Sequence, residues 1–249
     1  MEHPGPDVAA PPGSGVDGST ASGPTASGEG APAPDVAGRE LRRWCARIAA
    51  GAAVTVVVLF VVVALHPAPT MLERDLARMV RRFTVVRGAR QVRHLAGPVV
   101  IGADLVWTAV FGALLGRLRL ALVLVGGAVA TTAVNDVVLQ RIIVRPGLLG
   151  ADGIRQPDYF PSSHVVAICC VTAAAVMLVA LAGGSPRLVG AAVCTAGALS
   201  VAVAWASVFL GAHHVLDVVA AVAVAALGMA ATLAVALRHG GHRTGPSGT

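Results

Sequence analysis

Lysine is absent from this 249-residue chain, and all 19 of its basic residues are arginine. Charge of either sign is scarce. Asp, Glu, Lys and Arg make up 13% of the residues, about half the ~25% of a soluble domain. That shortage excludes an ordinary water-soluble globule. The surplus is apolar, at 55% hydrophobic residues with a mean hydropathy of +0.75. Cysteine is sparse too. Cys45, Cys169, Cys170 and Cys194 show no metal-ligand spacing, and three of them lie inside apolar runs where they act as small hydrophobes. Neither a disulfide framework nor a zinc site is implied. A net charge of +6 and a pI near 10.4 raise nucleic acid as a partner. The arginines, however, flank apolar runs and form no single patch interleaved with aromatics, so nucleic acid is excluded and anionic lipid headgroups fit better. No internal repeat of fixed period is present, and no pair of broken helices of the kind found in transporters.

Several apolar runs reach about twenty residues, the length that crosses a hydrocarbon core. Six are predicted, at about 48–65, 97–115, 120–144, 163–181, 188–209 and 214–237. The fold class is therefore all-α, a polytopic membrane six-helix bundle with a disordered N-terminal tail. Residues 1–38 are rich in Pro, Gly, Ser and Ala and lack the apolar residues to offset ordering, so they form that tail. No apolar core follows a basic start there, which excludes a signal peptide. The membrane domain is 39–238, and 239–249 is a polar C-terminal tail. Within the domain, 70–94 carries Leu72, Leu76, Met79, Val80 and Phe83 at helical spacing among seven arginines, and reads as an amphipathic helix lying on the membrane surface. Arg39, Arg42, Arg43 and Arg47 precede the first span and favour a cytoplasmic N-terminus. Six spans then gather the loops after spans one, three and five on the outer side.

On that side the ends of three spans carry ionisable groups, which at membrane depth are functional candidates by default. Span three ends in Asn135, Asp136, Gln140 and Arg141, followed by Arg145-Pro146. Span four opens with Pro161-Ser162-Ser163-His164, a helix start whose hydroxyls and free N–H groups face whatever anion the loop meets. Span six opens with His213 and His214, and His213 stands four residues before Asp217. On one helix face that carboxylate would orient the imidazole. Arginine, helix N-terminus, one histidine and a second histidine backed by an aspartate together suit a phosphoryl group: cations hold the oxyanion, one imidazole attacks and the other protonates the leaving oxygen. His66, His94, His214, His239 and His242 read instead as interfacial residues.

At these residues the chain resembles the type 2 phosphatidic acid phosphatase superfamily of membrane phosphatases, which has a six-helix core and three signatures. Pro161-Ser162-Ser163-His164 matches Pro-Ser-Gly-His with Ser163 for glycine. His213 and Asp217 match the third signature, with Leu210-Gly211 and Val218 flanking, while Ala206-Ser207 stands where the family has Ser-Arg. Arg145-Pro146 matches the first, with Gln140 at the family's lysine and Gly147-Leu148 at its second Arg-Pro. The resemblance implies a lipid phosphomonoesterase or pyrophosphatase that needs no cofactor or metal. In it His213 is the nucleophile that becomes phosphohistidine, Asp217 orients it and His164 is the general acid. Ser162 and Ser163 help hold phosphate, and Arg145, Arg141 and Arg155 stand in for the missing cations. The implied location is a bacterial-type cytoplasmic (inner) membrane with the active site on the outer face. An isoprenoid (pyro)phosphate and a phosphatidate are both compatible substrates. The alternative is a catalytically weak or inactive relative that binds lipid phosphate or a partner protein.

Overall fold

The computed structural model describes residues 34–81, 86–146 and 158–240. The expected tail therefore lies outside the described residues up to position 33, as do residues 241–249 of the C-terminal tail and Arg155, Gly147 and Leu148 of the site. Apolar composition dictates long helices, because in lipid every backbone group must find its partner within the segment. Five helices are long and apolar enough to cross a membrane. They are α1 (Pro34–Leu65), α5 (Leu118–Val134) with its continuation, α7 (Ser163–Leu181), α8 (Pro186–Phe209) and α9 (Val215–Gly240). α4 (Pro98–Leu114) has 17 residues, roughly 26 Å at 1.5 Å per residue and short of a ~30 Å core. Counted as one bent segment with α3 (Val86–His94), at 41° to it, it is long and apolar enough to bring the number of spans to six.

The segment expected to form one surface helix contains α2 (Met71–Arg81) and α3, and residues 82–85 between them lie outside the described residues. α2 keeps the amphipathic character, with Met71, Leu72 and Met79 exposed. α3 is amphipathic as well, with Arg87, Arg90 and Gln91 exposed, but its other side packs into the bundle, where Ala89 is 1% exposed and sits with Ala206, Phe209 and Leu210 of the α8 end. An alanine at that position lets the helices approach closely. Three turn bonds from Leu95, Ala96 and Gly97 N–H to the Val92, Arg93 and His94 carbonyls then turn the chain into α4.

At the centre of the bundle α7 contributes Val165, Val166, Cys170, Ala174 and Leu178 to a core shared with Leu124 and Ala128 of α5 and Val224 and Met229 of α9. α1 packs along α9. α5 runs on through a π-helical turn, Asn135–Leu139, into α6 (Gln140–Ile142). Such a turn shifts the phase of the side chains that follow and is frequent at functional sites. The sequence offered no strand, yet two residues of β1 (Val144–Arg145) pair antiparallel with two of β2 (Asp158–Tyr159), Val144 opposite Tyr159 and Arg145 opposite Asp158. Phe160, fully buried, packs edge-on against Phe60 of α1 with 4.9 Å between ring centroids. The end of β2 is thereby held against α1.

Candidate active site at the helix ends

The three clusters named from the sequence meet at one end of the bundle. Ser162 N–H donates to the Asp217 carbonyl at 3.4 Å, and Arg145 Nε donates to the carbonyl of Pro67, just beyond α1, at 3.1 Å. Each bond joins segments far apart in sequence.

His213 is placed by the way α8 stops. Gly211 has φ +68, the left-handed conformation that glycine adopts without penalty. Its N–H bonds the Val208 carbonyl while that of Ala212 bonds the Ser207 carbonyl, the Schellman pattern of a helix end. His213 N–H also reaches the Ser207 carbonyl, at 3.3 Å. α9 begins only at Val215, so His213 lies in the turn, and the expected shared helix face with Asp217 is not formed. Asp217 is instead the third residue of the helix and closes a capping box. Its Oδ2 accepts from the His214 backbone N–H at 2.6 Å, the reciprocal bond of a helix start. The carboxylate's charge still bears on His213.

Arg145 is 2% exposed and serves two carboxylates. Nη1 donates to Asp217 Oδ1 at 2.7 Å, and the same guanidinium grips Glu73 of α2 through Nη1 and Nη2, both at 3.2 Å. Glu73 is itself fixed by Thr70, whose N–H and hydroxyl donate to Oε2 while its Oγ accepts from the Glu73 N–H. Burial opposes Glu73's charge, but the bonds from Arg145 and Thr70 outweigh it and hold the carboxyl below its usual range. Burial likewise opposes the Arg145 charge, and Asp217 and Glu73 outweigh it and hold the guanidinium above its ordinary value. The chain leaves its helix at Ile142, so Arg141 and Arg145 do not share a face, and Arg141 is exposed. Glu73 carries no family signature; its one sequence signal is the Thr70-x-x-Glu73 spacing of a capping box.

Ser162 is the N-cap of α7, fully buried, with no cap bond from its side chain, and its Oγ has no hydrogen-bond partner among the described residues. Ser163 Oγ accepts from Gln140 Nε2, which also donates to the Pro161 carbonyl at 2.8 Å. At the position of the family's lysine the amide thus ties the loop to α6. Ser207 is fully buried, and its hydroxyl donates to the Val203 carbonyl at 2.8 Å. His214, read as interfacial, is 1% exposed, with Nε2 3.3 Å from the Pro146 carbonyl. It caps α9 where the carbonyl and the Arg145–Asp217 pair enclose it.

The charge of His213 is felt at His164, as are those of Arg93, Asp136 and His94. Those felt at His213 are Asp217 and Arg93. Burial pushes the His213 imidazole down to about 4, against the pull of Asp217 and with a further push from Arg93. At neutral pH it is uncharged, the form in which a ring nitrogen can attack. Burial, then Arg145, lowers His214 as well. Beside His164 lies a cavity of about 440 Å³. Ser163, His164 and Asp136 form its polar end, and Ile101, Leu105, Ala128 and Val171 are among its apolar walls. Val129 and Asp136 on its lining are exposed, so it opens to the surface of the bundle. Among the described residues no group of three or more His, Cys, Asp or Glu side chains is placed to hold a metal ion.

The multi-pass helical fold is shared with a solved transmembrane phosphatase. The chain is similar to the crystal structure of the first transmembrane PAP2 type phosphatidylglycerolphosphate phosphatase from Bacillus subtilis, at TM-score 0.62 and 15% identity, over 79% of this chain and 98% of that one. At that identity the likeness is one of fold. No protein-family model and no curated protein matches the chain.

Proposed function

We propose that the protein is an integral membrane phosphatase that releases phosphate from a lipid phosphomonoester or pyrophosphate through a phosphohistidine, without a metal. The observation that carries this reading is the proximity of His164 and His213, from separate helix ends, with His164 on the wall of a cavity that has apolar sides and a polar end. Neutral His213 attacks phosphorus through a ring nitrogen, the phosphorus–oxygen bond to the lipid breaks, and His164 gives its proton to the departing oxygen. Asp217 stabilises the positive charge that the imidazole acquires. Water then attacks the phosphohistidine, His164 takes a proton from it, and inorganic phosphate leaves with His213 restored. Ser162, whose buried hydroxyl is uncommitted, and the first N–H groups of α7 suit the phosphate oxygens. The apolar walls suit the lipid chain.

With the arginines before α1 on the cytoplasmic side, the site lies at the outer face of the cytoplasmic membrane. The test is phosphate release by the purified protein from phosphatidate and from an isoprenyl diphosphate in detergent micelles, with and without EDTA. Release that His213→Ala abolishes and EDTA leaves intact is expected. Equal background in wild type and variant would sink the enzyme reading. One observation favours the alternative, a relative that binds lipid phosphate without turning it over: Arg145 is engaged by two carboxylates. The same assay separates the two.

A further inference from the structure

A phosphoryl group of two negative charges needs a cation, and among the described residues the positions where the resemblance seeks one do not offer it. Arg145 is gripped by Glu73 and Asp217. Arg141 is exposed, Gln140 is tied to the loop, and the Ser207 hydroxyl is turned to its own helix. We infer that Arg93, in the last turn of α3, is the phosphate-holding cation of this site, an inference that rests on His164 and His213 being the phosphoryl-transfer pair.

Placement carries it. Val92, the preceding residue, packs on the cluster of Ala206, Phe209 and Leu210, at the turn that leads to His213. Val92 also packs on the cluster that contains Ile168, one turn beyond His164. The Arg93 carbonyl accepts from the Ala96 N–H at 3.1 Å, and Ala96 lines the same cavity as His164. Arg93 is thus carried between the two histidine-bearing segments, its Nε is buried, and its charge is felt at both imidazoles. A guanidinium presents a planar fork that matches phosphate oxygens in pairs, and away from water its attraction is little screened. The remaining charges are disposed to match. Behind His213 the Glu73–Arg145–Asp217 group carries two negative charges to one positive and favours an imidazole that turns positive, while Arg93 faces the oxyanion.

The experiment measures binding of inorganic phosphate to the full-length protein in detergent by phosphorus NMR, together with phosphatidate hydrolysis. The proteins compared are wild type, Arg93→Ala, Arg93→Lys, His213→Ala and Arg78→Ala, the last removing the same charge from an exposed position. Losing one charge-assisted contact should weaken phosphate binding by about 10- to 100-fold in R93A. R93K should recover part of it, and R78A should match wild type. Wild-type phosphate affinity in R93A, or no phosphate binding by the wild type, overturns the assignment. R93A losing phosphate binding while H213A and wild type hydrolyse at equal background would uphold Arg93 and remove the enzyme reading. H213A abolishing hydrolysis while R93A changes neither readout would do the reverse. Should R93A fail to fold, R93K set against Arg93→Gln carries the same comparison.

Discussion

Halfway along the bundle, α5 and α9 meet through two glycine–threonine pairs, whereas about 16 Å away along α9, at 1.5 Å per residue, a buried arginine of β1 joins the start of α9 to α2. At the first place a Cβ on Gly127 would stand 2.1 Å from Thr232 Oγ1, and one on Gly228 would stand 2.2 Å from Thr131 Oγ1. Each threonine hydroxyl is turned back to the glycine carbonyl of its own helix, Thr131 to Gly127 and Thr232 to Gly228, both at 2.8 Å. No charge takes part, and contact distance alone sets the fit. Lipid tails are as apolar as the helices, so burial supplies little drive here and close approach of small residues supplies the specificity. At the second place specificity is electrostatic. Glu73, Arg145 and Asp217 come from three distant segments and fix α2, the loop after α6 and the start of α9 relative to one another. The waist sets how the helices lie, and the charged end sets where the site's groups point.

The largest effect is expected from removing the ion that serves two partners. Arg145→Ala strands two buried carboxylates and should destabilise by about 3–5 kcal/mol, read as the shift in SDS or thermal unfolding of the micellar protein. Arg145→Lys keeps the charge without the fork and should fall between. A neutral R145A would mean that the carboxylates hydrate or protonate freely, and that the electrostatic half of the comparison is wrong.

The waist is tested by steric exchange. Gly127→Ala forces a methyl against Thr232, a branched side chain that cannot swing away, and overpacking of this kind costs about 1–3 kcal/mol. Thr232→Ala removes the Oγ1 and Cγ2 contacts but leaves Cβ, 2.7 Å from the new methyl, so rescue should be partial. Thr232→Gly should rescue more fully. A double-mutant cycle should show coupling above roughly 0.5 kcal/mol, and additivity would deny that the two residues touch.

Much of this was readable in advance, for identifiable reasons. Span lengths follow from apolar runs, so α7 at Ser163–Leu181 and α8 at Pro186–Phe209 fall where the sequence put them. The meeting of the three helix ends followed from counting spans. The partners within that end did not follow. Arg145 was read as a phosphate ligand because the motif supplies a residue type, whereas its use is decided by Glu73, a residue 72 positions away. Arg93 was hidden for a related reason. Helical spacing of apolar residues over 70–94 suggested one surface helix, and only the close approach of Ala89 to α8 shows that its second half enters the bundle. His214 and His213 are adjacent and chemically alike, and the turn closed by Gly211 gives them different surroundings.

Acid sharpens the electrostatic half. His213 takes up its proton at about 4 when folded and near 6.5 when unfolded. Its contribution is therefore fully present above about 6.5 and is lost as pH falls towards 4. Glu73 is held below its ordinary 4.5, so its contribution is present above that value and disappears below it. Glu73→Gln should lower stability at neutral pH by on the order of 1.5 kcal/mol and flatten only the lower limb of a stability–pH curve. The limb between about 6.5 and 4 should persist in E73Q and shrink in His213→Asn, with His214 keeping its own share of it. An unchanged lower limb in E73Q would show that Glu73 is not held in its charged form.

The smallest effect contrasts two arginines four residues apart. Had the helix continued past Ile142, Arg141 and Arg145 would lie on one face and share a fate. It ends there, β1 begins at Val144, and the extended chain sends one guanidinium into the bundle while the other stays outside. Arg141→Ala should therefore move stability by less than about 0.5 kcal/mol and leave phosphate binding unchanged, whereas Ser162→Ala removes a buried hydroxyl that makes no hydrogen bond among the described residues. S162A should be equally mild on stability but should weaken phosphate binding severalfold, by about the 1 kcal/mol of one hydrogen bond. If the two variants behaved alike towards phosphate, the loop before α7 would have no part in holding it, and the oxyanion would rest on the cation and the imidazoles alone.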